Sequence, residues 1–232
     1  MLFRDRPFIN KNSNDLVDEL KQKKFTNRNI LNCIKKIPRE LFVKKKFSNH
    51  CYENIPLPVD CNQTISQPFV VAFMIHCLEL KKNDRVLEIG TGTGYQTVIL
   101  ANLCKHVYTI EKFQELLGQA KINHKKLKLK NINYMLGNGA DGWNKPVLFD
   151  AIIVSASVEK ISSKLLKNLK DKGRLIFPKK YPFGKQKLLL LKKVSSSKYT
   201  SQNYLMLSLC HYYEKKLTQW WTVWGSNPRP ND

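Results

Sequence analysis

The sequence predicts an α/β fold: a doubly wound, mostly parallel sheet of seven strands, preceded by a helical N-terminal extension. Three observations carry this prediction. Residues 13–46 place apolar side chains three or four positions apart, as a helix does. From residue 85 onwards, short apolar segments alternate with longer amphipathic ones. A glycine-rich segment directly follows the first of those short apolar segments.

The N-terminal part is predicted to be helical over residues 13–46, with a short further piece over 39–43 after Pro38. Prolines interrupt residues 51–66, which we interpret as a loop or a short hairpin. Pro68 fits the first turn of a helix that runs to about residue 80. The apolar residues at helical spacing are Leu16, Val17, Leu20, Ile30, Leu31, Ile34 and Ile37.

The remainder is predicted as alternating strands and helices, with a serine-rich loop over 195–201. The sequence divides into an extension with an active-site loop (1–66), an α/β domain (67–213) and an atypical tail (214–232), forming one structural domain overall. The predicted helices span 95–103, 112–129 and 161–169. The predicted strands span 86–89, 107–110, 132–136, 149–154, 173–177, 188–191 and 204–209.

Composition excludes several classes of protein. Hydrophobic residues make up 42% of the 232 residues, which is typical of a globular chain. No apolar run reaches the roughly 18 residues that a membrane span requires, and no secretory signal is recognisable, so we expect a cytoplasmic protein without membrane association. The six cysteines form no CxxC pair. We therefore expect reduced thiols and no metal site.

The formal net charge of +22 allows two interpretations. A basic surface can bind the phosphates of a nucleic acid, or lysines can simply cover solvated faces. The lysine clusters, at 44–46, 121–130 and 179–187, are spread along the chain and lack the interleaved aromatic residues of a single-strand binder. We therefore do not expect nucleic acid to be the main partner, and a positive field could help to capture an anionic substrate.

The glycine-rich segment runs from Glu88 to Gly94 and reads Glu-Ile-Gly-Thr-Gly-Thr-Gly. Glycines at this point allow a tight turn and a close approach of a ligand to the backbone. A dinucleotide-binding loop needs its third glycine one position later, where this chain has Tyr95. The pattern resembles the first motif of class I methyltransferases, which implies S-adenosyl-L-methionine as cofactor, although an ordinary strand-to-helix turn remains the alternative. The candidate cofactor-binding residues are Glu88, whose charge suits the ligand's positive groups, Gly90, Thr91, Gly92 and Gly94.

Two further candidates follow the next two predicted strands. Glu111 comes 21 residues after Gly90, a spacing at which a carboxylate can accept hydrogen bonds from a ribose diol. Its alternative role is to stabilise the start of the following helix. Asn138 and Gly139 stand where class I methyltransferases line the adenine, usually with an acidic residue, and the alternative there is a plain Asn-Gly turn.

A more specific resemblance lies outside the sheet. The segment Gln63-Thr64-Ile65-Ser66-Gln67-Pro68 resembles the signature of the protein-L-isoaspartate O-methyltransferases, a family of class I methyltransferases with a Rossmann-like fold. Further family-like segments are Pro38-Arg39-Glu40, Asn54-Ile55-Pro56-Leu57-Pro58, the glycine-rich loop, Asp141-Gly142-Trp143, 150–154 and 172–176. Because these segments occur in the family's order, the resemblance covers roughly residues 15–178.

The resemblance implies an enzyme (EC 2.1.1.77) that methylates the free α-carboxyl of L-isoaspartyl residues in damaged proteins and peptides. The ester then closes spontaneously to a succinimide, which reopens partly to normal aspartate and so repairs part of the damaged protein. Ser66 matches the family's active-site serine, and we expect it to orient the substrate carboxylate rather than to act as a nucleophile, with Thr64 and Ile65 shaping the same site. Ser66 could instead cap the helix that begins at Pro68. We expect a monomer.

Two other functions stay open at this point. One is a methyltransferase with another acceptor such as RNA, although Ser155-Ala156-Ser157 replaces the aromatic signature expected after the fourth strand. The other is a catalytically weakened relative that only binds cofactor, for which the uncharged Asn138 is the strongest indication. The segments 178–180 and 205–213 also depart from the family's pattern.

Overall fold

The computed structural model describes residues 11–182, 186–195 and 198–205. Its main feature is a seven-stranded sheet with the strand order β5-β4-β3-β6-β7-β8-β9. The four pairings from β5 to β7 are parallel, and the pairings of β7 with β8 and β8 with β9 are antiparallel. The predicted mostly parallel, seven-stranded, Rossmann-like sheet is therefore confirmed. The predicted tail 214–232 lies outside the described residues.

The strands of this sheet are β3 (Arg85–Ile89), β4 (His106–Glu111), β5 (Ile132–Leu136), β6 (Phe149–Val154), β7 (Leu169–Lys180), β8 (Gln186–Ser195) and β9 (Lys198–Leu205). The chain moves outward from β3 through β4 to β5 and then returns to the other side of β3 as β6. This reversal creates a crevice at the carboxyl ends of β3 and β6, which is where ligands bind in open α/β sheets.

The N-terminal extension contains two helices, α1 (Ser13–Gln22) and α2 (Arg28–Lys36). The side chains of Asn12 and Asn27 cap them. The prediction of continuous helix was wrong between them, because the amide of Phe25 bonds back to the carbonyl of Leu20 and Lys24 has a φ of 61°. This closing turn lets the two helices pack side by side.

The segment after α2 forms two short 3₁₀ helices, Arg39–Phe42 and Lys45–His50, and then a small hairpin. The hairpin pairs β1 (Leu57–Pro58) with β2 (Thr64–Ile65) in antiparallel register, as the second of the two sequence-based interpretations expected. The remaining helices are α3 (Pro68–Cys77), α4 (Tyr95–Leu103), α5 (Gln114–Lys126) and α6 (Ser163–Lys167). The last of these is shorter than predicted, because β7 already begins at Leu169.

The prediction of a serine-rich loop over 195–201 was wrong for residues 195 and 198–201, which belong to strands, and residues 196 and 197 lie outside the described residues. Lys198 begins β9, which pairs with β8 in a register that includes Lys192 with Thr200 and Leu188 with Tyr204. Serine, threonine and tyrosine side chains fit an exposed edge strand, so their polarity did not indicate a loop here. Residues 206–209 of the last predicted strand lie outside the described residues.

Apolar residues cover both faces of the sheet. One face, with Val86, Val107 and Ile153, packs against α1–α4. The opposite face, with Leu87 and Ile152, packs against α6 and Trp143. The N-terminal extension therefore shares its core with the sheet, which holds the hairpin near the crevice.

Membrane-spanning helices, metal-ligating clusters and disulfides are absent from the described part of the chain. No described helix is long and apolar enough to cross a membrane. No group of three or more metal-ligating side chains lies together in the described part of the chain. Cys33, Cys51, Cys61, Cys77 and Cys104, the five cysteines that the structure describes, are not in disulfides.

Candidate active site

A cleft opens at the carboxyl edge of the sheet, between the β1–β2 hairpin and the loop after β3. Its volume is about 870 Å³ including the open solvent at its mouth. The walls come from three segments that are distant in sequence, joined by Val71, Glu111 and Leu116. These segments are residues 63–66, residues 90–96 and residues 155–157.

The glycine-rich loop needs its glycines for backbone geometry. Gly90, Gly92 and Gly94 have φ values of 94°, 56° and 98°, a region that side chains disfavour. A Cβ at Gly92 would meet no other atom within 4 Å, so the backbone there faces open space. A Cβ at Gly94 would lie 2.2 Å from Nε2 of His124. Gly92 therefore leaves room for a ligand, whereas Gly94 allows the loop to pack on α5.

Helix α5 supports the loop from behind with two polar side chains. Nε2 of His124 donates to the carbonyl of Gly94 at 2.9 Å, and the hydroxyl of Tyr134 lies 2.8 Å from Nδ1. Burial lowers the pKa of His124, so the ring is neutral and Nδ1 accepts from the tyrosine. Asn123 donates to the carbonyl of Thr93 at 3.0 Å. These bonds fix the loop before any ligand binds.

The structure corrects the expected role of Glu88. This side chain is fully buried, and its carboxylate accepts from the hydroxyls of Thr97 at 2.5 Å and Thr109 at 2.7 Å and from the amide of Gln96 at 2.9 Å. Burial raises the pKa of Glu88 to about 7, which the three donors only partly offset. Glu88 therefore supports the loop through its bonds to α4 and does not line the cleft, because alternation along β3 turns it towards α4.

Thr91 also points inward rather than towards the cleft. Its hydroxyl lies 2.6 Å from that of Thr109, and only 4% of the residue is exposed. Thr109 thus connects Thr91 to the carboxylate of Glu88 through a chain of hydrogen bonds. At this position the ligand can contact the backbone of the loop.

Glu111 lies at the end of β4 and lines the cleft. Its Oε2 accepts from the amide of Gly92 at 2.7 Å, and its Oε1 accepts from the amides of Lys112 at 2.8 Å and Phe113 at 3.1 Å. Of about four acceptor positions on a carboxylate, one stays available for a hydroxyl donor. Glu111 therefore both anchors the loop and presents an acceptor at its edge, so the helix-start role and the ligand role are compatible.

Asn138 and Gly139 follow β5 in a short 3₁₀ helix, Gly139–Asp141. Asn138 is exposed, and its Oδ1 accepts from the amide of Ala140 at 3.0 Å. Gly139 is buried, and a Cβ there would lie 2.1 Å from Ile89. Because the amide of Gly137 bonds to the carbonyl of Glu111, this segment lies directly beside the end of β4. Asn138 and Gly139 are not among the residues that line the cleft, so their cofactor-binding role stays a prediction.

The opposite wall is the β1–β2 hairpin and the loop that follows it. Thr64 and Ile65 form β2, with Ile65 buried in the core and Thr64 half-buried. The side-chain Nε2 of Gln67 donates to the carbonyl of Asn54 at 2.8 Å, and Oδ1 of Asn54 accepts from the backbone amide of Phe69 at 2.9 Å. The loop is therefore tied to residues 51–55 before it enters α3.

Ser66 is half-buried in the wall of the cleft. The alternative that Ser66 caps α3 was wrong, because Asn54 bonds the first-turn amide of that helix and Gln67 occupies the cap position without a side-chain bond. Within the described part of the chain, the hydroxyl of Ser66 makes no hydrogen bond. It is therefore free to bind a ligand.

Sequence reasoning did not assign a site role to the segment after β6. Ser155 accepts from the amide of Gln96 at 2.8 Å, and the hydroxyl of Ser157 is buried without a partner among the described residues, although the residue lines the cleft. The position of residues 155–157 directly after a predicted strand could have indicated this role, since loops that follow neighbouring parallel strands meet at one edge of the sheet.

These residues fit an adenosine-type cofactor that carries no pyrophosphate. The open backbone at Gly92, the acceptor on Glu111 and the unpartnered hydroxyl of Ser157 are complementary to a polar ligand with hydroxyl and amino groups. The free hydroxyl of Ser66 stands across the same cleft. The candidate cofactor-binding loop and the candidate acceptor residue therefore lie on the walls of one cleft.

Comparison with known proteins gives one consistent family. Residues 10–210 match the model of the family described as protein-L-isoaspartate(D-aspartate) O-methyltransferase. A protein-L-isoaspartate O-methyltransferase of Photobacterium profundum is 45% identical over 168 residues, which is 72% of this chain and 80% of that protein. The protein of that name from Dictyoglomus thermophilum is 42% identical over 174 residues, or 75% of this chain and 79% of the relative.

Solved structures agree on the fold. A structure titled protein-L-isoaspartate O-methyltransferase superposes with a TM-score of 0.75 at 28% identity, covering 83% of this chain and 63% of its own. A Plasmodium falciparum structure, titled as a putative enzyme of the same kind in complex with S-adenosyl-L-homocysteine, gives a TM-score of 0.74 at 24% identity. The superposition covers 84% of this chain and 95% of that chain.

Proposed function

The chain belongs to the protein-L-isoaspartate(D-aspartate) O-methyltransferase family, and from that premise we propose how its own residues carry out the methyl esterification of L-isoaspartyl α-carboxyls. S-adenosyl-L-methionine, when bound, supplies a methyl group on a sulfonium, which is already an activated electrophile. The protein has to bind the two partners in line and exclude water between them. Proximity and orientation then account for most of the rate.

On the cofactor side, the loop from Gly90 to Gly94 and the carboxylate of Glu111 would hold the adenosyl and amino-acid parts. Asn138 and Gly139 would lie beside the adenine. Glu88 and Thr91 would stabilise the conformation of the loop through their buried hydrogen bonds. This division of roles is supported by the open backbone at Gly92 and by the acceptor that Glu111 keeps available.

On the acceptor side, Ser66 would donate its hydroxyl hydrogen to the substrate carboxylate, with Thr64 and Ile65 forming the wall beside it. A carboxylate is ionised at neutral pH, so no general base is required to activate it. The observation that carries the proposal is the hydroxyl of Ser66, which has no partner in the described part of the chain and lines the same cleft as the glycine-rich loop. Residues 1–66 would then supply the acceptor side, 67–213 the cofactor side and 214–232 a tail.

Partners and location follow from the same proposal. Isoaspartyl proteins and peptides are the substrates, and no nucleic acid takes part. The enzyme would act as a monomer, since residues of one chain form every wall of the cleft. A cytoplasmic location is supported by five described cysteines that are not in disulfides.

The test of the acceptor role compares Ser66→Ala with Ser195→Ala, an exposed serine at the opposite edge of the sheet. Loss of one hydrogen bond to a charged group should lower kcat/KM for an isoaspartyl peptide about 10- to 100-fold in Ser66→Ala. Binding of S-adenosyl-L-homocysteine, measured by calorimetry, should stay unchanged in both variants. Equal methylation by Ser66→Ala and wild type would refute the role of this serine.

A further inference from the structure

Arg39 connects the acceptor loop to the N-terminal extension. It begins the 3₁₀ helix Arg39–Phe42, and none of its surface is exposed. Its guanidinium donates to the carbonyls of Cys51, Glu53 at 3.4 Å, Ile55 at 3.2 Å and Ser66 at 3.2 Å. One side chain therefore fixes residues 51–55 and the backbone of Ser66 relative to each other.

The partners of this guanidinium are unusual because all of them are neutral. No carboxylate within the described residues forms a salt bridge with Arg39, and its carbon Cζ lies 5.5 Å above the ring of Tyr95, the first residue of α4. Arg174, another arginine with little exposure, has a salt bridge to Asp84 at 2.5 Å. Burial without a compensating charge lowers the pKa of Arg39.

Burying a cation without an anion destabilises a fold, and hydrogen bonds to neutral carbonyls offset only part of that cost. Backbone carbonyls alone could be bound by a less costly neutral donor. The guanidinium of Arg39 donates to the carbonyl of Ser66, so an anion that binds the hydroxyl of Ser66 would lie near this buried positive charge. It would supply the negative charge that the guanidinium does not have among its partners. An isoaspartyl carboxylate is such an anion.

We propose that Arg39 is a positioning residue for the acceptor: it holds the Ser66 carbonyl so that the hydroxyl faces the cleft, and its unpaired charge favours a carboxylate over a neutral group there. The inference rests on the proposed function of the same site. It predicts that Arg39 affects the binding of the acceptor's charge far more than the binding of the cofactor.

The test measures equilibrium binding of two peptides to the full chain saturated with S-adenosyl-L-homocysteine, so that no turnover occurs. One peptide carries the isoaspartyl α-carboxylate, and the other carries a carboxamide at that position. The variants are Arg39→Met, which removes charge and donors, and Arg39→Lys, which keeps the charge but cannot reach several carbonyls at once. Arg174→Met is the matched control, because it removes a half-buried guanidinium at the other end of the sheet.

Arg39→Met should weaken binding of the carboxylate peptide about tenfold or more and leave the carboxamide peptide much less affected. Arg39→Lys should weaken the carboxylate peptide less and keep a preference for it over the carboxamide. Arg174→Met should lower the melting temperature and leave both dissociation constants unchanged. Equal weakening of both peptides by Arg39→Met, or no weakening, would overturn the inference.

The same measurements distinguish a wrong role for Arg39 from a wrong acceptor site. If Arg39→Met fails to fold, Arg39→Lys decides, since unchanged carboxylate binding in that variant contradicts the positioning role. If the wild type itself does not prefer the carboxylate peptide, the assigned acceptor site is wrong. If the wild type prefers the carboxylate peptide and the Arg39 variants bind both peptides as the wild type does, only the role of Arg39 is refuted.

Discussion

Substituting glutamine for Glu111 tests how one carboxylate serves both the loop and the ligand. Glu111 is 2% exposed and accepts three backbone hydrogen bonds, from Gly92 on Oε2 and from Lys112 and Phe113 on Oε1. Glutamine has the same shape, but one oxygen becomes an NH₂ group that can only donate. Whichever way the amide turns, this group faces at least one backbone N–H.

The less costly orientation of the glutamine amide loses the single bond from Gly92, because the opposite orientation would lose the two bonds from Lys112 and Phe113. The loop then loses its anchor where its backbone faces open space, and the remaining acceptor lacks a charge. Since a hydrogen bond to a charged group contributes about 1.5–3 kcal/mol, we expect cofactor binding to weaken by about 2 kcal/mol, or roughly thirtyfold.

Calorimetric titration with S-adenosyl-L-homocysteine measures this change directly. Glu19→Gln is the control, since it makes the same chemical change on α1, where Glu19 pairs with Lys11 at the surface. The control should bind as the wild type does. An unchanged dissociation constant for Glu111→Gln would refute both the loop anchor and the acceptor role.

Four further substitutions have defined outcomes. Burial raises the pKa of Glu88 from 4.5 to about 7, so the stability that its protonated form provides is full below pH 4.5 and is lost as the pH rises through 7. The unfolding free energy of the wild type relative to Glu88→Gln should therefore fall by about 2–3 kcal/mol between about pH 5 and about pH 8, measured by urea denaturation; a constant difference would contradict this pKa. Gly94→Ala should cost about 2–4 kcal/mol of stability, because its Cβ would lie 2.2 Å from His124 at a φ of 98°, whereas Gly92→Ala should mainly weaken cofactor binding; equal melting temperatures would be inconsistent with this packing. Asn138→Asp should strengthen binding of S-adenosyl-L-homocysteine about threefold to tenfold by offering a charged acceptor to the adenine amine, and weaker binding would place the adenine elsewhere.

The order of elements could be predicted because strand and helix periods are local. The short apolar runs before Gly90 and Glu111 needed no tertiary information, and the glycine pattern indicated where the crevice would lie. The β8–β9 pairing was only partly visible, because an edge strand with polar residues such as Ser201 and Thr200 resembles a loop in sequence. Its strand character depends on a neighbour that the sequence does not identify.

Some residues of the site could be predicted from the sequence, and others depend on the fold. Ser66 and Glu111 were identified from motif and spacing, and both line the cleft. The orientation of Glu88 was not predictable from its position beside the loop, since which face a strand residue points to depends on the packing of α4. Arg39 was noticed only as part of a motif, because its four carbonyl partners are brought together by the fold.

The most direct test of the whole account is methyl transfer from radiolabelled S-adenosyl-L-methionine to an isoaspartyl peptide, with the matching normal aspartyl peptide alongside. We predict that label enters only the isoaspartyl peptide and is released by mild base, as expected for a methyl ester. If the chain binds S-adenosyl-L-homocysteine but labels neither peptide, or labels both equally, the acceptor assigned to this cleft is wrong.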